Sequence, residues 1–98
     1  MLLRSADFRI TGVVQGVFFR KHVVAEATRL DLVGWVANAP DGSVVGSVQG
    51  REDAIVEMKG WLRHVGSPKS RIEDATFENE RVIPSLDFSA FAVRRAAP

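Results

Sequence analysis

Ala6-Asp7-Phe8-Arg9-Ile10-Thr11-Gly12-Val13-Val14-Gln15-Gly16-Val17-Phe18-Phe19-Arg20 changes its hydrophobic period part-way along. Up to Val13 the period is two. Phe8 and Ile10, with Gly12, share one face, and Asp7, Arg9 and Thr11 share the other. That pattern is a strand with one buried and one wet face. After Gly16 the period becomes helical: Phe19, Val23, Ala27 and Leu30 form a stripe, and Lys21, Glu26 and Arg29 point elsewhere. A strand therefore passes through a glycine-containing loop directly into a helix.

Working outward, Leu32 to Asn38 is rich in β formers, with Val33, Trp35 and Val36. Pro40-Asp41-Gly42 supplies turn chemistry, and Ser43 to Gln49 is a second β-rich run, which predicts a hairpin. A second helix follows. Ile55, Met58, Leu62 and Val65 make its apolar stripe, widened by Ala54 and Trp61. Glu52 and Asp53 suit its first turn, Arg63 and His64 its last, and Gly66 can take the left-handed cap. Gly60 inside this helix costs about 1 kcal/mol against Ala, a cost that a close neighbour would offset. Ser70 to Val82 alternates loosely through Ile72, Ala75 and Phe77 as a strand, and Phe88, Phe91 and Val93 mark a shorter terminal one. The order β-α-β-β-α-β with a short extra C-terminal strand predicts an α+β fold. It is the ferredoxin-like α/β sandwich, a mostly antiparallel sheet with two helices on one face.

The chain has 98 residues, and no repeat, low-complexity tract or linker divides it, so residues 1–98 read as a single domain. Apolar residues make up 46% and charged residues 26%, which supports one ordinary core and argues against disorder. Thirteen basic against twelve acidic residues leave a formal charge of +1. A broad cationic field for nucleic acid or anionic lipid is missing. The absence of cysteine removes disulfides, thiolate nucleophiles and thiolate-bound zinc, and two histidines are too few for an all-histidine metal cage. No apolar run is long enough for a membrane span, and Arg4, Asp7 and Arg9 within the first ten residues read as leaving no apolar signal-peptide region there. A cytoplasmic protein without a metal or other cofactor is expected.

Gly12 to Arg20 carries the chemistry. Backbone N–H groups at a helix start lack intrahelical partners, and the helix dipole adds positive potential, so a turn of such groups can enclose an oxyanion. Arg20, at the same end, can make a two-pronged pair with a phosphate. Taken alone, two glycines and one arginine read as a bent connection with Arg20 in solvent. The loop lacks the Gly-Lys-Ser/Thr ending of a P-loop and does not spell a dinucleotide fingerprint. Asn38, just before Ala39-Pro40-Asp41-Gly42, reads alone as a strand-end or turn residue.

Two separate stretches alter both readings. Ile10 to Arg20 resembles, position for position, one signature of the acylphosphatase family. Gly34-Trp35-Val36-Ala37-Asn38, then Gly42-Ser43-Val44, then Gly50, resembles its other signature. The likeness extends to the element order and to the ending Phe91-Ala92-Val93-Arg94-Arg95. Ala37 stands where many members are basic and Val45 where Glu is frequent, departures that bear on peripheral electrostatics and substrate preference.

The resemblance implies a metal-free hydrolase that cleaves the carboxyl–phosphate bond of acyl phosphates. Arg20 is similar to the family's phosphate-binding arginine. The backbone of Gln15, Gly16, Val17, Phe18 and Phe19 resembles its phosphate cradle. Asn38 resembles the asparagine that orients the attacking water. The partners so implied are a small-molecule acyl phosphate and inorganic phosphate as product and inhibitor, with no nucleic acid and no membrane, for a monomer.

The remaining polar residues have plainer readings. His22 is a partly exposed helix-surface histidine, and His64 complements a helix C-terminus. Glu52 and Asp53 are first-turn charges rather than a catalytic pair. Ser43 and Ser47 decorate the hairpin, Trp35, Trp61 and the six Phe residues pack the core or sheet, and Arg94-Arg95 is solvated. The rival functions are an RNA-binding sheet and an excised acylphosphatase-like module of a larger protein. The first needs a basic-glycine-aromatic run on a central strand, which no segment spells. The second is disfavoured by the complete element order and the absence of linker residues at either end.

Overall fold

The computed structural model describes residues 2–95. Its elements are β1 (Leu3–Val13), α1 (Phe19–Arg29), β2 (Val33–Asn38), β3 (Val44–Arg51), α2 (Glu52–His64), β4 (Arg71–Ile83) and β5 (Phe91–Val93). The sheet order is β4-β1-β3-β2-β5. β1 pairs antiparallel with β3 and β4, and β2 antiparallel with β3. The extra strand β5 lies parallel to β2, with Gly34, Trp35 and Val36 opposite Phe91, Ala92 and Val93. This is the ferredoxin-like α+β arrangement.

One apolar cluster joins the layers. From the sheet come Ala6, Phe8, Ile10, Val36, Val44, Val48, Ala75 and Phe91, and from the helices Phe19, Val23, Ala27, Ile55, Met58 and Leu62. Phe19, Val23 and Ala27 of the expected α1 stripe are buried, Leu30 is half-buried one residue past the helix, and Phe19 packs against Trp61 of α2 with ring centroids 5.9 Å apart. The α2 stripe is shorter than expected. Val65 lies one residue past the helix and is 61% exposed, because Gly66 (φ 66°) closes the last turn and swings the chain off the buried face. Gly60 also departs from expectation. A Cβ built there meets nothing within 4 Å, so no close neighbour explains its presence.

Two register irregularities account for the weak alternation of β4. Thr11 pairs with Asp74 but Gly12 pairs with Ile72, so Glu73 is an extra residue in the ladder. The spacing Ile72, Ala75, Phe77 is therefore a bulged strand rather than a broken one. Gly12 is required opposite the bulge: its φ is 124°, and an added Cβ would lie 2.0 Å from the Arg71 carbonyl oxygen. The second shift falls between Ser5 and Asp7, whose partners Arg81 and Glu78 are three apart, and Asn79 between them takes φ 53°. Ser5 and Ala6 are buried in succession on opposite faces of β1: Ala6 joins the core, and Ser5 Oγ accepts from Gln49 Nε2 at 3.2 Å.

Candidate active site

The segment after β1 does not run straight into α1. Gly16 (φ 75°) and Phe18 (φ 59°) both take left-handed backbone conformations, with Val17 between them outside that region. Alternating handedness turns successive N–H groups toward one point and makes a nest for an anion. The first N–H of this segment to find a backbone acceptor is that of His22, which donates to the Phe18 carbonyl at 3.1 Å. Among the described residues, no backbone N–H from Gln15 to Lys21 has a hydrogen-bond acceptor. Phe18 offers no capping side chain, and no acidic residue occupies the first turn of α1. α2 differs: Glu52 and Asp53 occupy its first turn. The start of α1 is left with positive potential and uncommitted donors.

A cleft of about 510 Å³ opens over this helix start. Gly16, Phe18, Phe19, Arg20 and Lys21 line one side, Asn38 and Val93 the other, and Val14 and Val24 contribute apolar surface. Arg20 forms no ion pair with any described carboxylate. Asn38 ends β2 on the helix-covered face, two residues after the fully buried Val36. Its Oδ1 is buried and has no hydrogen-bond partner. An orphaned buried acceptor costs about 1–3 kcal/mol, so this amide is not there to hold the fold together.

Five of the seven residues expected at the site thus share one cleft: Gly16, Phe18, Phe19, Arg20 and Asn38. Val17 instead packs against the core. The Gln15 side chain turns away to the β2–β3 hairpin, where Nε2 donates to the carbonyls of Ala39 and Ser43, each at 2.9 Å. His22 is half-buried on α1 and does not line the cleft, in keeping with its plain reading. Phe18 departs from the expectation that every Phe is packed, being 74% exposed at the cleft rim because its left-handed backbone directs it outward. Arg94 is not merely solvated: its guanidinium sits 4.5 Å from the Trp35 ring centroid.

Lys21 and Val93 line the cleft without having been anticipated. Lys21 was visible beside Arg20. Val93 needed knowledge that the terminal strand pairs beside β2, which periodicity cannot supply.

The hairpin below the cleft is braced by charge. Arg9 Nη1 donates to Asp41 Oδ2 and to Ser43 Oγ, both at 2.6 Å, and the Ser43 N–H donates to Asp41 Oδ1 at 2.9 Å. Hydrogen bonds from the Ser43 hydroxyl and N–H, with Arg9 beside them, hold the Asp41 carboxyl below its ordinary pKa.

Comparison with known proteins follows the same residues. The acylphosphatase family profile matches residues 6–93. An acylphosphatase-2 of Anas platyrhynchos is 51% identical over 92 residues, 94% of this chain and 89% of that protein. The acylphosphatase-2 of Homo sapiens is 48% identical over 94% of this chain and 93% of that protein. The structure of an acylphosphatase from Coxiella burnetii superposes with a TM-score of 0.84 at 34% identity, covering 95% of this chain and 94% of that one. The chain belongs to the acylphosphatase family, and it is an enzyme that hydrolyses acyl phosphates.

Proposed function

We propose that the hydrolysis proceeds by direct attack of water on phosphorus, without a metal and without a phosphoenzyme, and that Arg20 and Asn38 divide the work. The observation that carries this reading is the partnerless Asn38 amide lining the same cleft as Arg20 and the uncommitted N–H nest. The backbone N–H groups of Gln15, Gly16, Val17, Phe18 and Phe19, with the Arg20 guanidinium, bind the phosphoryl oxygens and stabilise their charge. Asn38 holds the water in line with the scissile P–O bond. As the new P–O bond forms, the acyl P–O bond breaks and its electron pair leaves on the carboxylate. The water proton passes to a phosphoryl oxygen of the substrate, giving inorganic phosphate.

The leaving carboxylate is the conjugate base of an acid with pKa near ~4, so no general acid is needed to expel it. A loose transition state asks for positioning and charge stabilisation, which neutral donors and one permanent cation supply. The apolar lining from Val14, Phe19, Val24 and Val93 supports an acyl group seated beyond the phosphate. We further read the chain as one domain acting as a cytoplasmic monomer, inhibited by its product phosphate. No described helix is long and apolar enough to cross a membrane.

Hydrolysis of benzoyl phosphate in ¹⁸O-water, with chelator present, tests that water ends on phosphorus and that no metal is needed. The expected result is undiminished turnover with the label in inorganic phosphate. Label in benzoate, or turnover abolished by the chelator, contradicts it. A pH–rate profile demanding an enzyme base near neutrality would also overturn the transfer of the proton to the substrate.

A further inference from the structure

The side chain of Gln15 has a separate task. Its one amide nitrogen donates to the Ala39 and Ser43 carbonyls, at 2.9 Å each, across 24 and 28 residues of sequence. Both carbonyls already have a partner within the hairpin. The Ala39 N–H donates to the Ser43 carbonyl at 2.9 Å, and the Gly42 N–H to the Ala39 carbonyl at 3.2 Å. The hairpin is therefore closed without Gln15, and neither acceptor would be orphaned by its loss. What Gln15 adds is a link between the two halves of the cleft. Its own backbone precedes Gly16 in the nest, and one of its acceptors belongs to Ala39, the residue after Asn38. The Asn38 amide makes no side-chain hydrogen bond that would locate it, since its Oδ1 is without a partner. Its position is set by its backbone, and that backbone is tied to the nest through Gln15.

We infer that Gln15 is a positioning residue, whose side chain sets the distance between the phosphate nest and Asn38. This rests on the roles given to Arg20 and Asn38 above. Misplacing a positioned group by about 1 Å can lower the rate on the order of 100-fold, while phosphate contacts made by a separate loop survive. Gln15→Met keeps the length of the side chain and removes both donors. In Gln15→Glu a carboxylate faces two carbonyl oxygens. Protonation restores one donor, and those oxygens raise the pKa at which that happens.

The experiment measures kcat for benzoyl phosphate and the inhibition constant of inorganic phosphate from pH 4.5 to 8, in the parent, Gln15→Met, Gln15→Glu and Asn38→Ala proteins. Gln15→Met is expected to lose about tenfold or more in kcat with phosphate inhibition unchanged within about threefold. Gln15→Glu is expected to regain kcat as pH falls, with no such recovery in Gln15→Met. A Gln15→Met kcat within about twofold of the parent overturns the inference, as does a parallel loss of kcat and phosphate inhibition, which would mean the loop has collapsed. If Gln15→Met does not fold, a Gln15→Glu pH profile that parallels the parent's overturns it alone. A normal kcat in Asn38→Ala instead removes the underlying reading, so the two failures are told apart.

Discussion

Phe18 holds a conformation that costs a non-glycine residue about 1 kcal/mol or more, and it receives little burial in return, being 74% exposed. Its left-handed φ is what turns the nest toward the start of α1, so the strain belongs to the site rather than to the core. Asparagine tolerates that region better than phenylalanine. Phe18→Asn should therefore raise the unfolding midpoint by several degrees, the shift that about 1 kcal/mol produces in a domain of this size. Calorimetry reads it directly, and an unchanged or lower Tm would mean that the Phe18 ring is held by contacts worth as much as the strain. Arg20 makes a prediction of a different kind. Arg20→Ala should weaken phosphate inhibition together with turnover, because a two-pronged charge-assisted contact is lost from both ground and transition states. Unchanged inhibition by phosphate would exclude the guanidinium from the anion site.

Among the elements, α2 was read from sequence in most of its detail. The stripe Ile55, Met58, Leu62 is buried, and the acidic and basic ends fall where the dipole favours them. The error at Val65 came from extending a periodic stripe through a residue whose backbone already belongs to the cap. Gly60 lies in the helix, exposed, with open space where a Cβ would sit. Gly60→Ala should stabilise by about 1 kcal/mol, from helix propensity alone. Denaturant unfolding measures it, and activity should not change. The β2–β3 hairpin carries a pH dependence. The Asp41 pKa is lowered in the folded protein, so its contribution to stability is present above the unfolded pKa and is lost as pH falls through the folded one. Thermal unfolding followed downward from neutral pH should thus show part of the acid loss disappearing in Asp41→Asn. Equal acid sensitivity in both proteins would mean that the Arg9–Asp41–Ser43 cluster adds no linkage.

At the scale of the whole molecule, the element order was legible because β1 and the two helices keep clear periods, and the order with two helices leaves little topological choice. What the sequence concealed is non-local. The Glu73 bulge of β4 shows only as a three-residue step between Ile72 and Ala75, and the residues opposite it lie in β1, far away in the chain. The cleft was legible at Arg20 and Asn38 through two signature-like stretches. Val93 and the Gln15 brace were not, because both depend on which strands lie side by side. Gly12 links these levels: it accommodates the bulge and leads into the nest. Gly12→Ala places a Cβ against backbone atoms that cannot rotate aside, in a φ region that strains any side chain. It should cost about 3 kcal/mol or more, a large share of the stability of a domain this size. Chemical denaturation should show the loss, and a cost below about 1 kcal/mol would mean that the β1–β4 register shifts freely.

The division of labour between the nest and Asn38 is tested most directly by steady-state kinetics of Asn38→Ala with benzoyl phosphate and inorganic phosphate as inhibitor. The structure gives the Asn38 amide no part in holding the fold. The variant should remain folded, bind phosphate as the parent does, and lose on the order of 100-fold or more in kcat. A kcat near that of the parent, or a loss confined to phosphate affinity, would contradict the account.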